Sequence, residues 1–207
     1  MSLVFGLLFA ALFVGALVGA YMLSRDIPFD FENPNVLEAN NFRKKLRRYD
    51  TAMTNGTHGW VKFSQLEINS YISRVMTNDV DANAAGMHLR RVAVGLTDTN
   101  LMLYSWGEYR VANLPLKFTV QRGFSIRQEG TNQWETPMES LKIGEVEVPE
   151  NWWPRMAPLL ASLDQPVKDK FAWTTNVPAF MVKKNQSSKK PELTVYTFRP
   201  IPAEDRR

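Results

Sequence analysis

The stretch Leu114 to Ile126, LPLKFTVQRGFSI, decides the fold of this chain. Apolar and polar side chains alternate through its first half, which is the period of two residues that a half-buried β-strand requires. The pattern breaks at Arg122-Gly123 and resumes with Phe124, as expected for one long strand bent by a bulge at the glycine. We therefore predict that this stretch is a long strand of a curved antiparallel sheet.

Strands are also predicted on both sides of this stretch. Apolar residues alternate with small residues from Val92 to Leu96, and Leu101 to Trp106 has apolar groups on both faces. Leu141 to Val148 forms a further strand, in which Gly144 is a second expected bend. Because these runs follow one another with short turns, the sequence predicts an antiparallel meander.

Two or three helices accompany the strands. Asn35 is a suitable N-cap for an amphipathic helix from Val36 to Met53. Ser64-Gln65-Leu66-Glu67 is a capping box that opens a second helix. Pro149 to Leu163 has a strong apolar face and predicts a third. We expect one α+β domain at residues 36–200, with a connector at 24–35 and a solvated tail at 201–207.

An apolar run, Leu3 to Leu23, precedes the domain and has no charged side chain. A helix of this length would cross the hydrocarbon core of a bilayer, so we predict an N-terminal transmembrane helix at residues 1–23. No positively charged segment precedes it, which favours an anchor that is retained over a signal peptide. Ala11, Gly15 and Gly19 recur every four residues and predict a face that packs on another transmembrane helix, although glycine and alanine are also common in such helices.

The positive charge of the chain is concentrated on the first predicted helix. The net charge is +4, and without five neighbouring basic residues the sequence has 20 basic and 21 acidic side chains. We predict no nucleic-acid partner, because a nucleic-acid binder would spread its basic surface more widely. Two interpretations stay open, contact with anionic lipid head groups or an ordinary solvated helix face. The five residues are Arg43, Lys44, Lys45, Arg47 and Arg48.

The sequence contains no recognisable catalytic set. There are no cysteines and only two histidines, His58 and His88, which argues against a metal site. Phosphate-binding loops and nucleophile motifs are absent from the sequence. We therefore expect a non-enzymatic protein without cofactor or metal.

Aromatic residues indicate a different kind of site. A curved sheet followed directly by an apolar helix could enclose a groove that holds a lipid or a partner helix. The alternative is that these residues form the ordinary core of the domain. The predicted groove residues are Phe118, Phe124, Ile126, Trp152, Trp153 and Met156.

Two stretches resemble a known family. Leu66 to Ile72, LEINSYI, and Leu141 to Pro149, LKIGEVEVP, which runs into Trp152 to Leu163, are similar to small membrane-anchored bacterial proteins of the YpmS family and, more loosely, to tubular lipid-binding modules. The resemblance implies an extracytoplasmic, non-enzymatic module in which a curved sheet grips helices, with an apolar ligand.

Two observations disagree on the side of the membrane. No basic residue precedes the apolar run and Arg25 follows it, so the positive-inside rule favours a cytoplasmic domain, whereas the resemblance favours an extracytoplasmic one. We expect the extracytoplasmic side, because the basic cluster lies at the edge of the range over which the rule operates. We expect a single-pass protein of the cell inner membrane that is an accessory or structural subunit of a larger membrane complex. Its partners would be membrane lipids and other transmembrane subunits, or a second copy. The alternative is a membrane-tethered lipid-binding or lipid-transfer module.

Overall fold

The computed structural model of the protein describes residues 14–15, 18–25, 27, 32–76, 83–84, 87–98, 100–111, 114–129, 133–168, 177–185 and 188–198. The predicted tail at 201–207 and part of the predicted connector lie outside these residues. The described chain is α+β. Its helices are α1 (residues 18–24), α2 (Val36–Thr54), α3 (Gln65–Met76) and α4 (Trp153–Lys168), and a 3₁₀ turn at Glu150–Trp152 precedes α4.

The strands form three antiparallel sheets within the described residues. The strands are β1 (Trp60–Ser64), β2 (Asn83–Ala84), β3 (Met87–Leu96), β4 (Asn100–Val111), β5 (Leu114–Ser125), β6 (Arg127–Glu129), β7 (Gln133–Glu135), β8 (Met138–Ile143), β9 (Val146–Glu147), β10 (Ala179–Lys184) and β11 (Pro191–Tyr196). One sheet has the order β2-β3-β4-β5-β8-β9, a second has the order β1-β11-β10, and β6 pairs with β7.

The predicted long strand is β5, but the predicted bulge lies in the neighbouring strand. The register between β4 and β5 runs unbroken through Gly123 and Phe124, whereas the register between β5 and β8 shifts there because Glu139 of β8 is not paired with a residue of β5. The prediction for Gly144 is wrong in one respect. Instead of bending a single strand, Gly144 ends β8 and opens a tight turn into β9, with a φ of 57° that favours glycine.

The prediction of an N-terminal transmembrane helix at residues 1–23 is corrected by the structure. Crossing a bilayer takes about 20 consecutive apolar residues in one helix. No helix among the described residues has both the length and the apolar character that this requires. The helical residues described before the domain are 14–15 and 18–24, and Ala11 lies outside the described residues.

One face of the six-stranded sheet carries the hydrophobic core. Residues paired directly across neighbouring strands share a face. Two such rows run across β3, β4, β5 and β8; one consists of Val94, Leu103, Arg122 and Leu141, and the next of Val92, Ser105, Val120 and Ile143.

Helices α2, α3 and α4 cover this face in two separate clusters. Phe42 of α2 and Ile72 of α3 pack with β3 in one cluster, to which the three-stranded sheet adds Phe63, Val182 and Val195. Leu163 of α4 packs on the remaining part of the face in a second cluster, with Val120 and Leu141.

The capping box predicted at Ser64 is confirmed. The Ser64 hydroxyl accepts a hydrogen bond from the Glu67 amide at 3.1 Å, and the Glu67 carboxylate accepts one from the Ser64 amide at 2.8 Å. This reciprocal pair satisfies amides that the first turn of α3 leaves without partners.

Side-chain amides of α3 bind the part of β3 that β2 does not pair. The Asn69 amide group donates to the Val94 carbonyl at 2.9 Å, and its oxygen accepts from the Val94 amide at 2.7 Å. The Gln65 oxygen accepts from the Leu96 amide at 2.8 Å. An amide side chain carries one donor group and one acceptor, so Asn69 satisfies Val94 as a neighbouring strand would.

We expect Asn69→Ala to lower the free energy of unfolding by about 3 kcal/mol, because it leaves a buried amide and a buried carbonyl of Val94 without partners. Gln65→Ala is the matched control, since it removes a single bond from the same strand and should cost about 1 kcal/mol. Urea denaturation followed by circular dichroism measures both. Equal losses for the two variants would contradict this account.

Candidate functional site

A pocket with an almost wholly apolar lining lies where the end of α1 meets the six-stranded sheet and α4. Its volume is about 370 Å³, which is in the range of small-molecule sites. The lining residues are Ala20, Leu23 and Ser24 of α1, Tyr109 of β4, Leu116, Lys117 and Phe118 of β5, Ile143 of β8 and Leu159 of α4.

The floor of the pocket follows from strand pairing. Tyr109 pairs with Leu116 and Gly107 pairs with Phe118 across β4 and β5. A Cβ atom at Gly107 would lie 2.8 Å from Cε2 of Phe118, so the phenyl ring lies directly against the glycine backbone. Glycine has no Cβ atom, so it leaves room for the Phe118 ring over the backbone of residue 107. The ring lies across the sheet in this space and lines the pocket.

The turn at Gly144 positions the end of α1. The Met22 carbonyl accepts a hydrogen bond from the Glu145 amide at 3.1 Å, and the Arg25 guanidinium lies 3.0 Å from the Glu145 carboxylate. A helix leaves its last carbonyls without intrahelical partners, so this turn satisfies one of them. A Cβ atom at Gly144 would lie 2.6 Å from the Leu23 carbonyl oxygen, which shows how closely α1 approaches the turn.

An ion pair positions α4. Arg122 lies on the apolar face of β5 with a side chain that is 5% exposed, and Asp164 of α4 is 46% exposed. The guanidinium donates to both carboxylate oxygens, and the Nη1 to Oδ2 distance is 2.8 Å. The indole of Trp153 also donates to the Val148 carbonyl at 2.9 Å. These contacts orient α4 so that Leu163 enters the core and Leu159 lines the pocket.

The mouth of the pocket combines exposed apolar surface with one cation. Tyr109 is 42% exposed and Leu116 is 48% exposed. Lys117 is exposed and is the one charged residue of the described lining. A lysine stem can lie along apolar surface while its ammonium stays in water. The apolar part of this lining can bind an apolar chain.

The structure brings together only part of the predicted groove. Phe118 lines the pocket, and Trp153 and Met156 pack with it against the cluster beneath α4. Ile126 packs against the other cluster, beneath α2 and α3. The remaining two do not line the pocket: Phe124 is half-buried opposite Leu101, and Trp152 is 51% exposed with the Arg155 guanidinium 5.3 Å from its ring.

The other predicted site residues lie elsewhere. Arg43, Lys44, Arg47 and Arg48 line an open concavity along α2, whereas Lys45 turns inward and its ammonium contacts the Glu67 carboxylate at 2.6 Å. A Cβ atom added at Gly15 or Gly19 would have no neighbour within 4 Å among the described residues. Within the described ranges, no group of three or more metal-ligating side chains is close enough to hold an ion.

Sequence reasoning missed the contribution of α1 and the turn at Gly144. Leu116 and Phe118 share a face in the alternating pattern of β5, so that part of the lining had a local signal. Met22 of α1 and Glu145 of the turn meet through a contact between residues more than a hundred positions apart, for which a single sequence carries no local signal.

The chain matches no family model, no curated protein and no solved structure. The similarity of two of its stretches to the YpmS family therefore stays a prediction.

We expect Gly144→Ala to destabilise the protein more than Gly56→Ala. Both glycines have a φ near 60°, at 57° and 63°, but a Cβ atom at Gly56 would have no neighbour within 4 Å in the described part of the chain. The shared backbone cost is about 1–2 kcal/mol, and crowding against the α1 carbonyls should add about 1–3 kcal/mol at Gly144. Denaturant unfolding of both variants measures the difference, and equal losses would contradict the packing of α1 on this turn.

We expect an asymmetric response from the Arg122–Asp164 pair. Asp164→Ala leaves a buried guanidinium without its partner and should cost about 2 kcal/mol, a value reduced from that of a fully buried pair because Asp164 is half exposed. Arg122→Met removes the buried charge and should cost less. The double variant should recover most of the loss caused by Asp164→Ala, and a double-mutant cycle with additive losses would contradict the coupling.

Proposed function

We propose that this chain is a non-enzymatic lipid-binding protein whose pocket holds an acyl chain. The observation that carries the proposal is the apolar lining of the pocket, with Lys117 as its one charged residue in the described part. Burial of a methylene group contributes about 0.8 kcal/mol, so an acyl chain of several carbons gains enough to bind in a cavity of this kind.

The hydrocarbon of the acyl chain would contact Phe118 and Leu159. The similarity to tubular lipid-binding modules also supports an apolar ligand. We place this activity at the extracytoplasmic side of the inner membrane, where the same similarity places the domain.

A second candidate function is that of an accessory subunit of a larger membrane assembly. The exposed apolar residues of α1 favour it, since Val18 is 52% exposed and Tyr21 is 62% exposed. Among the described residues, a Cβ atom at Gly19 would have no neighbour within 4 Å, which would let a helix of a partner approach closely. Under this function the protein would copurify from membranes in fixed stoichiometry with other subunits.

The pocket is tested by filling it. Ala20 is exposed and lines the pocket, so Ala20→Phe should place a phenyl ring in the space that the acyl chain would occupy. We expect the affinity of the full chain for a fluorescent fatty acid to fall by about tenfold or more, which corresponds to about 1.4 kcal/mol. Equilibrium fluorescence titration after delipidation measures the affinity.

Val18→Phe is the matched control, because it adds the same side chain to the same helix at a residue that does not line the pocket. It should leave the affinity unchanged. Unchanged binding in Ala20→Phe, or native mass spectra that show partner subunits and no lipid, would favour the second candidate function.

A further inference from the structure

The exposed side of α2 forms a basic surface that we define as Arg43, Lys44, Arg47 and Arg48. Arg43 and Arg47 are four residues apart, and so are Lys44 and Arg48. The members of each pair are therefore neighbours on one side of the helix. All four are exposed and line an open concavity of about 740 Å³. We propose that this basic surface docks on an anionic membrane, with its cations on the phosphate groups of the lipid head groups.

The positive charge of the basic surface is not neutralised within the described part of the chain. Lys45, the fifth basic residue, binds the Glu67 carboxylate and also donates to the Lys62 carbonyl at 2.9 Å. None of the other four forms an ion pair with a described carboxylate, and the nearest charge-related contact is that of Arg43 with the Tyr71 ring at 5.9 Å. Like charges four residues apart destabilise a helix by a few tenths of a kcal/mol, and an external anion would remove that cost.

The basic surface is held in a fixed orientation. Ala39, Phe42 and Tyr49 of α2 are buried, and the Asn35 side chain caps the helix by accepting from the Glu38 amide at 2.9 Å. Since the apolar side of α2 lies in the core, its basic side faces solvent in one orientation. Hydroxyl groups of Thr51 and Thr57 lie at the same concavity.

The distribution of charge favours a membrane over a nucleic acid as the occupant. No aromatic side chain lines the concavity, so the described surface offers no platform on which bases could stack. The rest of the sequence has 21 basic and 21 acidic side chains, which leaves a single attractive face for a polyanion. A flat anionic bilayer can engage one such face, with each basic residue strengthening binding about fivefold. The basic surface shares no residue with the apolar pocket, and the proposal does not depend on the pocket's ligand.

Flotation with vesicles tests the docking proposal. The full chain should bind vesicles of equal parts phosphatidylglycerol and phosphatidylcholine more tightly than vesicles of phosphatidylcholine alone, and the difference should fall as salt is added. The variant Arg43→Gln/Lys44→Gln/Arg47→Gln/Arg48→Gln should lose this preference by about a hundredfold or more. Binding to the neutral vesicles should stay the same, because phosphatidylcholine carries no net charge for the four residues to attract.

The matched control removes the same charge elsewhere. Lys183→Gln/Lys184→Gln/Lys189→Gln/Lys190→Gln changes residues of which Lys184 already contacts Asp98 and Lys190 already contacts Glu32, and it should keep most of the preference for anionic vesicles. Arg43→Lys/Arg47→Lys/Arg48→Lys should keep it too, because the charge is unchanged. Three results would overturn the proposal: equal binding by the four-glutamine variant and the wild type, equal losses in both charge-removal variants, or tighter binding of an oligonucleotide than of vesicles through the same four residues.

Discussion

The structure depends on the burial of one face of the six-stranded sheet. The rows of side chains that cross β3, β4, β5 and β8 are too wide for one helix pair to cover, so α2 and α3 cover one part and α4 covers another. Arg122 lies in one of these rows and reaches the edge of α4, where Asp164 is still in contact with water. The buried charge therefore has a partner that does not itself have to be fully removed from water, which keeps the desolvation cost low.

The apolar pocket follows from this incomplete cover. Beyond Leu159 the face continues to Phe118, Leu116 and Tyr109. The end of α1 covers this part of the face and leaves a cavity between them. Close packing leaves few voids of this size in a protein interior, so an apolar space at the junction of three elements is unusual. Its shape is set by two close approaches of backbone, at Gly107 and at Gly144.

Local pattern predicted the elements more accurately than their partners. The alternation of β5 and the Ser64–Glu67 capping box are encoded within a few residues, and both are confirmed, whereas the bulge expected at Gly123 of β5 lies in β8. The ion pair of Lys45 could not be predicted in this way. Nothing in the basic run distinguishes Lys45 from its neighbours, and its partner Glu67 lies on a different helix, α3. The transmembrane prediction at residues 1–23 rested on hydropathy alone, and the described helices do not bear it out.

The contact of Asn69 and Gln65 with β3 also has a consequence for association between copies. An unpaired strand edge is a template for another chain, and exposed edges are sites of strand addition and aggregation. The amide and carbonyl of Val94 and the amide of Leu96, which such a strand would need, are already bonded to side chains of α3. Because α3 also packs on the core through Ile68 and Ile72, an incoming strand would have to displace a helix to reach them. This stretch of the sheet is therefore closed to intermolecular pairing for as long as α3 stays folded.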